Sequence, residues 1–278
     1  MEIKASDVKA LREKTGAGMM ECKKALVEAG GDAAAAEKIL KEKGLAALEK
    51  RADRVTSEGR IVAKVEGNRA VICEITCETD FVAKNTDFIA LGDAIVEKAI
   101  ETKADKVTDE LSDMMKELAT RIRENMTIRR LDAVELAEND YCAKYIHSDA
   151  KSGVLVVLTA ENKDAVNNQK VKDFAYDCCL HYVAFTPLYV TQDQVSEDYI
   201  NEQKEIFMKQ VADMDKPEQV KAGIVQGKIK KHLAEICFMD QPFVKDDKVT
   251  VAKKLDEIGK EAGTKLAVKK VIFYQLGL

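Results

Sequence analysis

The sequence contains no tryptophan, and no stretch approaches the run of roughly 18–20 apolar residues that a membrane-spanning helix requires. The first residues, Met-Glu-Ile-Lys, also lack the apolar region of a signal peptide. Of the 278 residues, 33% are charged and 46% are hydrophobic, a balance typical of a soluble, helix-rich globular protein. We therefore expect a cytoplasmic protein that has no membrane partner.

The 7 cysteines are odd in number and include no Cys-x-x-Cys pair. Cys73 and Cys77 share one face of a predicted strand, where four residues separate them by about 13 Å. The ligands of one tetrahedral zinc ion must lie much closer together than that. We therefore predict reduced, mostly buried thiols, as in a reducing compartment, and no metal site.

Motifs for catalysis are missing as well. The nearest approach to a phosphate-binding loop, residues 223–229, has the wrong spacing and no hydroxyl residue after its lysine. Segment 15–18 lacks the third glycine of a dinucleotide-binding fingerprint, and no Gly-x-Ser-x-Gly motif is present. The 3 histidines are too widely spaced for a metal motif. We predict neither enzymatic activity, nor a cofactor, nor direct nucleotide binding.

The charge pattern argues against nucleic acid as the main partner. The formal net charge is −5, whereas non-specific binding to nucleic acid requires a basic surface that releases counterions. The basic clusters are small, acidic residues surround most of them, and no aromatic residues interleave with them. Solvated helix faces account for these clusters.

Local patterns divide the chain into three parts. Residues 1–54 contain three short helical patterns, and we predict that the third helix ends at Gly44. Residues 55–140 and 141–278 each begin with a predicted strand pair followed by helices, which indicates an α+β core of two related halves. A helical pattern over 195–237 is broken by a proline, which predicts an inserted antiparallel helical hairpin. A helix and a strand form the C-terminal module.

The most informative stretch is the predicted junction between a strand and a helix near residue 80. Residues 70–76 are rich in β-branched side chains and pair with 60–65 across a Gly-Asn turn. The strand runs into Thr79-Asp80-Phe81-Val82, and a helical pattern follows. A phenylalanine beside a carboxylate at such a junction is well placed to enter a partner. The local pattern alone favours the other interpretation, in which Phe81 is the first core residue of the next helix.

Four segments, in order along the chain, resemble the elongation factor Ts family in its long, bacterial-type form. Residues 11–26 and 74–84 resemble the two signatures of that family, and residues 124–130 and 241–244 give supporting matches. Two positions depart from the family pattern, because Thr76 stands where asparagine is usual and Arg123 where glycine is common. Arg123 is therefore expected to alter a local turn.

The resemblance implies a guanine nucleotide exchange factor that binds the GTPase elongation factor Tu and promotes GDP release during translation elongation. The first three helices would be a ubiquitin-associated-like docking module, and Asp80 and Phe81 would enter the GTPase near its switch and magnesium region. The last helix and strand would provide a further contact. The residues implied in partner binding are Leu11, Arg12, Thr15, Gly16, Ala17, Gly18, Met19, Met20, Lys23, Thr79, Asp80, Phe81, Val82 and His147.

Two other classes of protein fit the residue patterns without the resemblance. One is a non-catalytic helical interaction or assembly protein with a different partner. The other is an RNA-binding translation accessory. Only the exchange factor requires a single dominant GTPase partner that is lost when GDP is added.

Overall fold

The computed structural model describes residues 3–278, which form two compact units. The first unit contains the described residues up to Glu135 together with Ile146–Gly153 and Tyr274–Leu278, and the second contains Leu136–Tyr145 and Val154–Phe273. Across residues 3–278, none of the helices combines the length and hydrophobicity that a membrane span requires. The domain boundaries predicted at residues 54 and 140 stay predictions.

Three helices open the first unit: α1 Ala5–Thr15, α2 Met19–Glu28 and α3 Ala33–Glu49. Gly16 ends α1 in a left-handed conformation (φ 68°), and the Asp32 carboxylate accepts hydrogen bonds from two backbone N–H groups at the start of α3. Both are ordinary devices for ending and starting helices. The helices enclose a small apolar cluster built from Val8, Leu11, Cys22, Ala25, Leu26 and Ala36.

The sheet of the first unit is antiparallel, in the order β1-β2-β3, with β1 Glu58–Glu66, β2 Arg69–Cys77 and β3 Met126–Glu135. A turn containing Gly67 (φ 58°) joins β1 to β2, which confirms the predicted hairpin. The sequence patterns do not predict β3. A bulge opposite Glu74 and Ile75 interrupts its pairing with β2, so the simple alternation that identifies a strand is lost.

The bulge lets two consecutive arginines of β3 bind one buried carboxylate in β2. Glu74 is fully buried, and it accepts hydrogen bonds from Arg129 at 2.9 Å, Arg130 at 2.6 Å and the Gly277 N–H at 2.9 Å. Burial by itself raises the pKa of Glu74, but these three hydrogen bonds outweigh it and lower the pKa overall. The ionised carboxylate therefore fixes β2 to two consecutive residues of β3.

Three helices, α4 Asp80–Ala83, α5 Thr86–Glu101 and α6 Asp109–Ile122, follow β2 and precede β3. The two longer ones confirm helices predicted in this region. Phe88 and Ile95 of α5 and Leu111 and Met115 of α6 lie in the same buried cluster as the inner face of the sheet. Gly92 of α5 lets the helix lie close to β1 and β2, since a Cβ there would be 2.9 Å from side-chain atoms of both strands.

Helix α3 continues past Gly44 to Glu49, so the predicted end at Gly44 is wrong. Gly44 lies where α3 packs against α6, and a Cβ at this position would overlap the Cγ2 atom of Thr120. The glycine allows two helices to approach each other closely, and the helix does not need it as a stop.

The sheet of the second unit has the order β4-β5-β8, with β4 Asp140–Ile146, β5 Ser152–Ala160 and β8 Leu266–Gln275. A two-stranded sheet is formed by β6 Pro242–Phe243 and β7 Asp246–Thr250. Helices α7 Gln169–Phe185 and α10 Val251–Glu261 share a buried cluster with β5. Short 3-10 helices cover Lys163–Asn167, Gln192–Gln194 and Phe238–Asp240.

Helices α8 Glu197–Val211 and α9 Glu218–Ile236 lie side by side and run in opposite directions. The Tyr199 hydroxyl and His232 Nε2 are 2.9 Å apart, and Lys228 donates to Gln210 at 2.6 Å. Together with the two sheets and their helices, these elements confirm the coarse prediction of an α+β fold. The likeness of α1–α3 to a ubiquitin-associated domain stays a prediction.

The contact between α3 and α6 gives a first test. Gly44→Ala should lower the free energy of unfolding by about 1–3 kcal/mol because the added methyl group overpacks the contact, although alanine is the better helix former. Gly223→Ala in α9 is the matched control, because a Cβ there meets nothing within 4 Å. Unfolding monitored by circular dichroism should show the difference, and Thr120→Ser should restore the stability of Gly44→Ala. Equal stabilisation by both alanines would contradict the packing role.

Candidate partner-binding site

The predicted contact segment 79–82 forms a single helical turn directly after β2. Thr79 caps the turn, and α4 covers Asp80–Ala83. Phe81 is 82% exposed, whereas Val82 and Ala83 are buried in the core of the first unit. The interpretation of Phe81 as a core residue of the next helix is therefore wrong. The ring of Phe81 lies at the surface, while Val82 and Ala83 of the same turn pack in the core.

The carboxylate of Glu124, two residues beyond the end of α6, fixes the start of this turn. The backbone N–H groups of Glu78 and Thr79 both donate to Oε2 of Glu124 at 3.1 Å, and the Thr79 hydroxyl donates to Oε1 at 2.7 Å. The same hydroxyl accepts a hydrogen bond from the Val82 N–H at 3.4 Å. Hydrogen bonds to an ionised acceptor are stronger than those between neutral groups. The base of the turn is therefore well fixed beneath Phe81.

Asp80 lies next to Phe81 in the sequence and forms an ion pair with Lys84, whose Nζ is 2.7 Å from Oδ2. The hydrogen bond from Lys84 lowers the pKa of Asp80, so this carboxylate is ionised at neutral pH. The Lys84 side chain is exposed and that of Asp80 is about half exposed, and water screens such a pair. Asp80 can therefore exchange Lys84 for a group on a partner at little cost.

Strand β1 holds both α4 and the segment that contains His147. Arg60 donates to the backbone oxygen of Ala83 at 3.3 Å, and the N–H of the next residue, Ile61, donates to the backbone oxygen of Ala150 at 2.7 Å. Both hydrogen bonds come from one end of β1. Two consecutive residues of β1 therefore bind the last residue of α4 and Ala150, which lies three residues after His147.

Electrostatics also link the two segments. The hydrogen bond to Glu58 raises the pKa of Lys151, and the charge of Asp80 adds to this shift. His147 lies four residues before Lys151, with its Nδ1 atom 2.9 Å from Asp149 Oδ1. The structure therefore brings the segment of His147 within electrostatic range of Asp80, although the two are far apart in the sequence.

The predicted contact residues of α1 and α2 fall into two groups. Met19 and Met20 are 44% and 63% exposed, and Arg12, Gly16 and Lys23 are exposed as well. These residues can touch a partner directly.

The second group supports the first. Leu11 is buried in the core of the three helices. The hydroxyl of Thr15 donates to the Leu11 backbone oxygen at 2.7 Å and accepts from the Ala17 N–H at 3.3 Å. Gly18 is the N-cap residue of α2. Leu11, Thr15, Ala17 and Gly18 therefore shape the turn between α1 and α2 more than they add exposed surface.

The cysteines near these segments are buried thiols. All seven cysteines are buried and outside disulfides. Burial raises the pKa of Cys77 to about 12, so it stays a thiol, and it donates to the Thr79 backbone oxygen at 3.2 Å. Within residues 3–278, no group of three or more His, Cys, Asp or Glu side chains is placed to hold a metal ion.

Comparison with known proteins decides the family. Residues 78–278 match the family model described as elongation factor TS. The chain belongs to the elongation factor Ts family. It is 59% identical over 278 residues to the elongation factor Ts of Treponema denticola, covering 100% of this chain and 99% of the relative. The elongation factors Ts of Treponema pallidum strain Nichols and Borreliella burgdorferi are 49% and 41% identical, and each alignment covers at least 99% of both chains.

Membership of the elongation factor Ts family implies a nucleotide exchange factor that works with elongation factor Tu in translation elongation. Such a factor acts on the nucleotide affinity of another protein and performs no catalysis in the usual sense. The family match begins at Glu78, so it includes segment 79–82, and the full-length relatives extend the likeness to α1–α3.

Sequence reasoning does not identify two residues that fix the site, Glu124 and Arg60. Glu124 lies 45 residues after Thr79, at the end of a predicted helix and at the start of the supporting match 124–130, and neither signal shows that it binds Thr79. Arg60 is one of many charged residues in an alternating strand pattern. Neither residue type nor spacing shows that both act on α4, because their contacts depend on how the chain packs.

The capping role of Thr79 gives a second test. Thr79→Val keeps the shape of the side chain but removes the hydroxyl that joins Glu124 to the Val82 N–H, so stability should fall by about 1–2 kcal/mol. Thr79→Ser is the matched control, because serine keeps the hydroxyl and should lose much less. Urea unfolding of the two variants should separate them. A larger loss in Thr79→Ser than in Thr79→Val would show that the methyl group, and not the hydroxyl, stabilises the turn.

Proposed function

We propose that this chain speeds GDP release from elongation factor Tu by inserting Phe81 and Asp80 into the GTPase near its switch and magnesium region. The observation that supports this most is the 82% exposure of Phe81 on a turn that is otherwise fixed to the core. A large exposed aromatic ring adds nothing to the stability of its own chain. In an apolar pocket of a partner it becomes a strong anchor.

Asp80 adds charge to this anchor. A GTPase of this kind binds GDP partly through a Mg²⁺ ion that bridges protein hydroxyls and phosphate oxygens. An ionised carboxylate brought close to that cluster attracts the cation and repels the phosphates. The lowered pKa of Asp80 keeps its carboxylate charged, so its effect does not require a change of protonation on binding.

The exposed part of α1–α2 supplies a second contact region. Met19 and Met20 offer flexible apolar side chains, and Arg12 and Lys23 add positive charge on the same pair of helices. Methionine adapts well to irregular binding surfaces. We assign this region to docking on a helix of the GTPase, with His147 as a further contact. The C-terminal helix and strand, α10 and β8, add another.

The free energy available from these contacts is large enough to weaken GDP binding. Burial of Phe81 in an apolar pocket would stabilise a displaced arrangement of the GTPase by about 1.5–3 kcal/mol. Every 1.4 kcal/mol or so of coupling changes nucleotide affinity tenfold. Coupling is reciprocal, so GDP must weaken the factor as much as the factor weakens GDP. Release of the factor then follows when a nucleotide binds again, and the factor itself needs no nucleotide site.

Phe81→Ala should slow the release of fluorescent GDP from elongation factor Tu by about tenfold or more. The free energy of unfolding should stay within about 0.5 kcal/mol of wild type, because the ring is exposed. Val220→Ala, which trims an exposed apolar residue of α9, is the control and should leave release unchanged. An unchanged release rate in Phe81→Ala would overturn the proposal and favour an assembly protein with another partner.

The charge of Asp80 can be tested separately. Asp80→Asn keeps the size of the side chain but removes its charge, so GDP release should slow by about tenfold or more. Asp113→Asn is a matched control, because Asp113 is also an exposed helical aspartate paired with a lysine. Stopped-flow measurement of both variants, with circular dichroism melts, would show the difference. Equal rates for the two variants would remove Asp80 from the mechanism.

A further inference from the structure

Three consecutive residues where α6 ends reach three separate parts of the first unit. Arg123 pairs with Glu21 of α2, Glu124 binds the start of the α4 turn, and Asn125 binds the chain just beyond α3. These residues therefore touch both regions assigned to partner contact, although they belong to neither.

Arg123 has an unusual backbone conformation, and its side chain makes an ion pair that glycine could not make. Arg123 ends α6 in the left-handed conformation (φ 69°), which glycine adopts most easily and other residues rarely do. Its guanidinium pairs with the Glu21 carboxylate, which also accepts from the Gly18 N–H at 3.1 Å. The side chain of Arg121 lies against Gly16, at 3.7 Å from where a Cβ would be. The end of α6 thus supports the turn between α1 and α2.

Asn125 fixes the chain where it leaves α3. Its side-chain amide donates to the backbone oxygens of Ala52 at 3.0 Å and Arg54 at 2.8 Å. Its own N–H donates to Glu78 Oε1 at 2.6 Å, and Arg54 forms an ion pair with the same Glu78. These contacts form a closed loop of hydrogen bonds. The exit from the three helices is therefore tied to the residue that precedes Thr79.

We propose that residues 123–125 are positioning residues for nucleotide exchange, because they set the α4 turn at a fixed distance and orientation from the turn between α1 and α2. The inference rests on the proposed function, in which both turns bind one GTPase molecule. When two contact regions are held in their bound arrangement, little conformational freedom is lost on binding. Freed from each other, each region must find its own site, and the effective concentration of the second contact falls.

Two isosteric substitutions test the segment in the full-length chain. Glu124→Gln should raise amide hydrogen exchange at Glu78 and Thr79 in the free factor, and Asn125→Asp should raise it around Ala52 and Arg54. Both should increase the factor concentration needed for half-maximal GDP release by about tenfold. The maximal rate at saturating factor should stay close to wild type, because Phe81 and Asp80 are unchanged.

Asn139→Asp is the matched control for Asn125→Asp. Asn139 also donates two hydrogen bonds from its amide, to Thr159 and Ala160, but it lies in the second unit. It should change neither the half-maximal concentration nor amide exchange in the first unit. If all three variants behave alike, the segment has no positioning role.

A third substitution separates positioning from stability. Arg123→Gly removes the pair with Glu21 and also relieves the left-handed backbone, so the melting temperature should not fall. The half-maximal concentration should nevertheless rise by up to about fivefold, the size expected for an exposed ion pair. Lys103→Gly relieves a similar backbone strain (φ 55°) at the end of α5 and should leave exchange unchanged. A rise in neither variant would overturn the role of Arg123.

The outcomes also distinguish this inference from the proposed function. If Phe81→Ala slows GDP release while the variants at 123–125 leave it unchanged, the contact residues stand and the positioning role fails. If Phe81→Ala has no effect, the proposed function fails. Amide exchange in the free factor then still reports whether residues 123–125 hold the two turns.

Discussion

The carboxylate of Glu124 is the contact on which the presentation of segment 79–82 depends. It accepts hydrogen bonds from two backbone N–H groups and one hydroxyl at the junction of β2 and α4. A helix of four residues is too short to form by itself in water, so α4 exists because distant groups fix both of its ends. Glu124 fixes the start, and Arg60 binds the backbone oxygen of Ala83 at the other end. Without these hydrogen bonds at both ends of α4, the side chain of Phe81 would not be held in one orientation.

Adjacent residues of the turn point either into the core or into solvent. Phe81 is exposed, and Val82 and Ala83 are buried, since successive residues of a helix point in directions about 100° apart. The pair α1–α2 follows the same principle, with Leu11 and Cys22 inside and Met19 and Met20 outside. The exposed side chains Phe81, Met19 and Met20 can therefore change without loss of the core.

Much of the fold can be predicted from local patterns. The hairpin around Gly67, helices α5 to α7 and the strands β4, β5 and β8 all follow from hydrophobic periodicity and turn residues. Strand β3 escapes prediction because the bulge that lets Arg129 and Arg130 both reach Glu74 destroys its alternation. The predicted end of α3 at Gly44 is wrong for a related reason. Its role is to make room for Thr120 of another helix, and nothing in the neighbouring sequence shows that.

Residue types and their spacing are enough to predict the class of fold, the family and the segment 79–82 as a candidate contact, because that information is local. The folded chain is needed to see that Phe81 faces solvent, that Leu11 is buried, and that Glu124 binds the start of the turn. The direction of a side chain and its hydrogen-bond partner depend on which distant surfaces pack together. Glu124 lies beside Thr79 because the intervening helices pack on the sheet. The same packing places Arg123 beside Glu21, 102 residues earlier in the chain, and Asn125 beside Ala52 and Arg54, 73 and 71 residues earlier.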